Sequence, residues 1–130
     1  MQIMSNKRAL CAAVASALFL AGAVSGCGKN QSSEALVAEA KQFQAKGDNK
    51  AAVIQLKNAV AKNPQDVEAR FLLASIYNEM NDPTSAEKEI RKAISLGMAP
   101  ERALPVLAQA LLSLGQFQKV LDETGVVKSP

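Results

Sequence analysis

Ala40, Ala74 and Ala108 stand 34 residues apart, and other positions keep the same step. Phe43, Tyr77 and Leu111 form one such column, Gly47, Asn81 and Gly115 another, and Ala52, Ala86 and Val120 a third, with Ala59 and Ala93 also in step. A fixed period of this length marks a supersecondary unit that stacks on copies of itself. It decides the architecture before any local propensity is weighed.

Within each period the apolar residues recur at helical spacing, as in Leu36, Ala40 and Phe43 and then Ala52, Leu56, Ala59 and Val60. Two amphipathic helices per unit follow. Gly47-Asp48 is expected to end the first helix and cap the second, because glycine accepts a left-handed backbone and an Asp oxygen can bond the free amides of the next turn. Asn81-Asp82-Pro83 repeats the device, with Pro83 suited to the first helical position, and Asn63-Pro64-Gln65-Asp66 breaks the chain between units. Aromatic residues are only 4% of the chain and Trp is absent, so the core must come from Ala, Leu, Ile and Val. That composition suits close helix packing and an all-α fold.

The pattern resembles the tetratricopeptide repeat, whose signature is a small residue after a Leu, an aromatic three further on, a paired Ala and large apolar residue, and a closing Pro. Leu73-Ala74-Ser75-Ile76-Tyr77, Ala86 with Ile90, and Ala52 with Leu56 before Pro64 carry the resemblance. The family's first aromatic is replaced by Leu36, Arg70 and Leu104, and Met98 stands at the second unit's Pro. The resemblance implies a solenoid of helical hairpins with units at 34–66 and 67–100 and a partial third at 101–130. Its third unit has a strong first helix from Leu104 to Leu114, but the helix begun at Phe117 meets Thr124-Gly125 early and no polar capping helix follows. On this reading the chain is the amino-terminal piece of a longer repeat protein.

Residues 1–26 have a different character. Lys7-Arg8 precede a run without charge from Ala9 to Val24, the order of a secretory signal, and the run is short for a membrane span, which needs about 20 apolar residues. Val24-Ser25-Gly26-Cys27 resembles the bacterial lipobox, which implies a diacylglycerol thioether on Cys27, cleavage before it and acylation of the new amino terminus. A single acyl chain anchors marginally, whereas several on one residue make a durable tether. Cys11 lies inside the apolar run without that context. Residues 27–33 then form a short polar lipidated tether, and Gly28 in place of Asp favours, in the Gram-negative sorting scheme, the periplasmic face of the outer membrane.

The stretch from Ala51 to Glu123 is similar to the opening of the tetratricopeptide lipoproteins of the PEP-CTERM and exosortase sorting system (PrsT type). The Ile54-Gln55-Leu56-Lys57-Asn58-Ala59 run is the distinctive part. The resemblance implies a role in an envelope pathway that joins protein sorting to exopolysaccharide production. A pilotin-like lipoprotein assisting secretin or pilus assembly is the alternative, and an enzyme docked through this segment a third.

Chemistry is poorly supplied. Histidine is absent, removing the commonest general base and metal ligand, and the mature chain holds no cysteine pair. No catalytic constellation, metal set, cofactor motif or small-molecule site emerges, and Glu87 with Arg91 is the i, i+4 ion pair of a wet helix face. The formal charge of +3 falls to +1 once Lys7 and Arg8 are removed, leaving 13 basic against 12 acidic residues. Both signs are spread along the chain, which argues against nucleic acid. Proteins or extended peptides are the expected partners, with the membrane reached through Cys27. Solenoids of this kind bind along the surface lined by the first helix of each unit. By repeat position that surface offers Lys41, Gln44, Phe71, Ser75, Asn78, Gln109 and Leu112. It lacks the paired Lys and Asn of a carboxylate clamp.

Overall fold

The computed structural model describes residues 31–125, apart from the side chain of Thr124. Cys27, the expected leader and residues 126–130 lie outside the described residues. Six helices follow one another: α1 (Ser33–Ala45), α2 (Asn49–Lys62), α3 (Val67–Glu79), α4 (Pro83–Ser95), α5 (Pro100–Ser113) and α6 (Phe117–Thr124). Each helix packs on the next in the chain, and α3 also meets α5. Strands are absent from the described residues, so the expected all-α hairpin solenoid is what the chain forms.

The turns show why the period is 34. Gly47, Asn81 and Gly115 all take positive φ, at 77°, 59° and 70°. At each, the residue that follows donates its N–H back over the turn: Asp48 to the Phe43 carbonyl, Asp82 to Tyr77 and Gln116 to Leu111, at 2.8 to 2.9 Å. A left-handed residue closing a helix in this way satisfies carbonyls that the helix end leaves free. Asn81 is the one residue in the column with a Cβ, and Asn tolerates the left-handed region better than most. Asp48, Asp66 and Asp82 then accept from the backbone N–H of Ala51, Ala69 and Ser85 and start the next helix.

Two expected boundaries move. Ser33, expected as the last tether residue, already belongs to α1 and is buried, because Ser32 supplies the cap by accepting from the Ala35 N–H. The Ser33 hydroxyl donates to the Ala59 carbonyl at 3.2 Å and to the Asp66 carboxylate, tying the start of α1 to the α2–α3 junction. Helix α5 begins at Pro100, four residues before the expected Leu104. Pro100 sits where a missing N–H costs nothing, while Pro105 inside the helix is exposed and deprives one backbone carbonyl of its partner.

The core has two parts. Leu36, Val37, Leu56 and Ile76 fill the first, between the hairpin α1–α2 and helix α3. Ile90, Met98, Leu107 and Leu111 fill the second, where α4 receives α5. Met98, at the position of the missing Pro, is buried.

The first unit also differs from the others on its outer side. Leu73 and Ile76 of α3, and Leu107 and Ala110 of α5, are buried. The residues 34 earlier on α1 are Glu39 and Gln42, polar and not buried. Helix α1 thus presents water with the face that its successors bury.

Arg70, at the site of the family's first aromatic, is accommodated by polar partners. Its Nε and Nη2 donate to the Pro64 carbonyl at 3.0 and 2.9 Å, and its Nη1 meets Glu89 at 2.7 Å, with both side chains largely buried. The stem replaces part of the missing ring while the head joins the inter-unit loop to α4. Removing one partner of such a pair leaves the other charge half-buried. Arg70→Ala should therefore cost about 2 to 3 kcal/mol in chemical denaturation, and Arg70→Met with Glu89→Met together should cost less than Arg70→Ala alone.

Candidate functional site

The first helices of the three units, α1, α3 and α5, form the A-helix face, and every residue expected to line a groove there comes from them. Lys41, Gln109 and Leu112 are exposed, Leu112 at 50%, while Gln44, Phe71, Ser75 and Asn78 are half-buried. Phe71 rests partly on the second core cluster. The Ser75 hydroxyl donates to the Phe71 carbonyl at 3.0 Å, turning inward along its own helix. Asn78 donates through Nδ2 to the Val106 carbonyl of α5 at 2.9 Å, and its Oδ1 is buried without a partner.

Three charged residues absent from the expected set organise this face. Glu68 lies between two cations, accepting from Lys41 of α1 at 3.1 Å and from Arg102 of α5 at 3.0 Å, so one carboxylate spans three units. The Arg102 guanidinium also lies over the Phe71 ring, 4.5 Å from its centroid. Glu79 accepts from Gln44 at 3.2 Å and from Asn49 at 3.0 Å, joining α3 to both helices of the first hairpin. A signal for Glu68 and Arg102 existed in the sequence, since each stands 34 from the other, three residues before the Phe71 column.

Burial pushes the Glu68 carboxyl upward, but the hydrogen bonds and charges of Lys41 and Arg102 outweigh it and hold the group below the ordinary glutamate range. The cation expected in the groove is therefore already occupied. The arrangement offers amides, a hydroxyl, an aromatic ring and an exposed Leu, with its cations neutralised. Such a surface suits an extended backbone with small apolar side chains better than a free carboxylate. Among the described residues no group of three or more Asp, Glu, His or Cys could hold a metal ion.

The opposite face is different. A cleft of about 680 Å³ between α2 and α4 is lined by Val60, Arg70, Lys88, Glu89, Arg91 and Lys92. Arg91 makes the expected i, i+4 pair with Glu87 at 2.8 Å and also reaches both oxygens of Glu123, at 2.8 and 3.0 Å, fastening α6 to α4.

A tetratricopeptide repeat model matches residues 43–101. No curated protein matches the chain. Among solved structures, the crystal structure of MamA protein is similar with a TM-score of 0.62 and 22% sequence identity, over 76% of this chain. The chain spans 60% of the length of that structure. The similarity bears on the fold: the helices form a tetratricopeptide solenoid of helical hairpins.

Because the Glu68 carboxyl titrates lower in the folded chain than in the unfolded one, its contribution is complete above the unfolded value, about pH 4.3, and is lost as pH falls through the folded value. The melting temperature should fall on acidification from about pH 5 to 3. Glu68→Gln should melt lower at pH 7 and show a smaller acid-induced drop than the parent. Parallel pH profiles of the two proteins would refute the bridging role.

Proposed function

We propose that this chain is a membrane-tethered adaptor without catalytic activity, which holds an extended segment of a partner protein along its A-helix face. The continuity of that face carries the reading. Gln44, Phe71, Ser75, Asn78, Gln109 and Leu112 run across three successive helices, and the Lys41–Glu68–Arg102 bridge holds those helices in register. An extended peptide laid across them meets amides for its backbone and Phe71 and Leu112 for its side chains.

The tether rests on the lipobox-like Val24-Ser25-Gly26-Cys27 behind a charged and then apolar leader. With Cys27 acylated and Gly28 behind it, the solenoid is held at the periplasmic face of a Gram-negative outer membrane. No described helix is long and apolar enough to cross a bilayer. The likeness of residues 51–123 to the PEP-CTERM lipoproteins supports a place in protein sorting coupled to exopolysaccharide production.

Two experiments test the separate parts. Cys27→Ser should leave an unprocessed precursor that no longer incorporates labelled fatty acid, and normal maturation in that variant would sink the lipoprotein reading. A photo-crosslinking residue at Gln109 or Leu112 should give discrete protein adducts in intact cells, whereas one at Asn58 on α2 should give none. Adducts from Asn58 alone would place the partner on the wrong face.

A further inference from the structure

Formal charge divides between the two faces. Helices α2 and α4 carry six cations, three of them on α2 with no acid, against only Glu87 and Glu89. Helices α1, α3 and α5 carry Lys41, Arg70 and Arg102 against five glutamates. Lys41 and Arg102 are taken up by Glu68, and Arg70, which lines the cleft against α4, by Glu89. On the second helices Arg91 is taken up by Glu87 and Glu123, but Lys50, Lys62, Lys88 and Lys92 are exposed and form no ion pair among the described residues.

Lys50, Lys57, Lys88 and Lys92 share one surface. Lys50, Ile54 and Lys57 fall on one side of α2 by helical spacing, and Lys88 and Lys92 stand 34 from Ile54 and Asn58, on the same side of α4. Ile54, in their midst, is 59% exposed. Lys57 leans over Tyr77 with its Nζ 6.0 Å from the ring centroid, and still lies exposed.

We infer that this lysine-bearing face of α2 and α4 lies against an anionic phospholipid surface, so that the A-helix groove is turned away from the membrane toward its partner. The inference rests on the proposed acylation of Cys27. Cations converging on one point would suit a single phosphate, but these are spread over two helices, as a plane of headgroups requires. An exposed Ile among them can enter the headgroup boundary, as apolar residues of interfacial helices do. Only five residues lie between Cys27 and Ser33, so the chain from one to the other spans at most about 20 Å. Surface charge acts within a Debye length of about 8 to 10 Å, shorter than that reach, so the lysines and Ile54 themselves must hold the face against the bilayer.

The test uses the protein expressed with its leader in Gram-negative cells, purified in detergent and reconstituted with vesicles of phosphatidylcholine, or of phosphatidylcholine with 30% phosphatidylglycerol. Amine labelling is read lysine by lysine by mass spectrometry. On the anionic vesicles Lys50, Lys88 and Lys92 should label about five-fold more slowly than on the neutral ones, with the difference lost in high salt and Lys41 unchanged in both. Lys88→Glu with Lys92→Glu should abolish the protection of Lys50. Even labelling of both faces in a chain that floats with the vesicles overturns the orientation alone, as does protection of Lys41 in place of Lys88. Protection that persists on neutral vesicles or in high salt overturns the anionic-lipid contact. A chain that floats with neither vesicle overturns the acylation premise and this inference with it.

Discussion

The distance between helices in this solenoid is set by alanine. Ala52, Ala59, Ala69, Ala74, Ala86, Ala93, Ala103 and Ala110 are all wholly inaccessible to solvent. A side chain that ends at Cβ lets two backbones approach closely, and only then can Leu56, Ile76, Ile90, Leu107 and Leu111 reach across and fill the remaining space. A larger residue at any of these alanines would force the hairpin apart, at a cost of about 1 to 3 kcal/mol. The scarcity of aromatic residues has the same origin, because helices this close leave little room for rings.

That constraint is local and periodic, and so the sequence displays it openly. The alanine columns, the left-handed Gly47, Asn81 and Gly115, and the aspartates that cap α2, α3 and α4 could each be placed from spacing alone, because each depends on residues within a turn or two. What spacing did not reveal are the partners that only the fold brings together. Arg70 departs from the family's aromatic, and only the fold brings it to Glu89, 19 residues away, and to the Pro64 carbonyl. Glu68 is the second case, with its two cations 27 and 34 residues off, on separate helices. The expected groove residues fall on α1, α3 and α5, but Ser75 bonds its own helix and Phe71 leans on the core, contacts that repeat position alone does not display.

Electrostatics gives the two faces opposite characters despite a nearly balanced chain. On the A-helix face the charges hold the structure together: Glu68 bridges three units, and Glu79 ties α3 to the first hairpin. The polar groups left over there, the amides of Gln44, Asn78 and Gln109, carry no net charge, and such groups suit a backbone better than a charged side chain. On the face of α2 and α4 four lysines are left over from structural duty. Single pairs on a wet surface contribute little to stability, so leaving these unpaired costs the fold almost nothing.

The solenoid also has a direction. At one end, α1 shows Glu39 and Gln42 where the later units bury Leu73, Leu107, Ile76 and Ala110. At the other, α6 leaves Phe117 at 64% and Leu121 at 41% exposed, although Arg91 fastens the helix through Glu123. An apolar surface is satisfied by another apolar surface, and the exposed side of α6 is the kind against which the first helix of a further repeat packs, as α5 packs on α4.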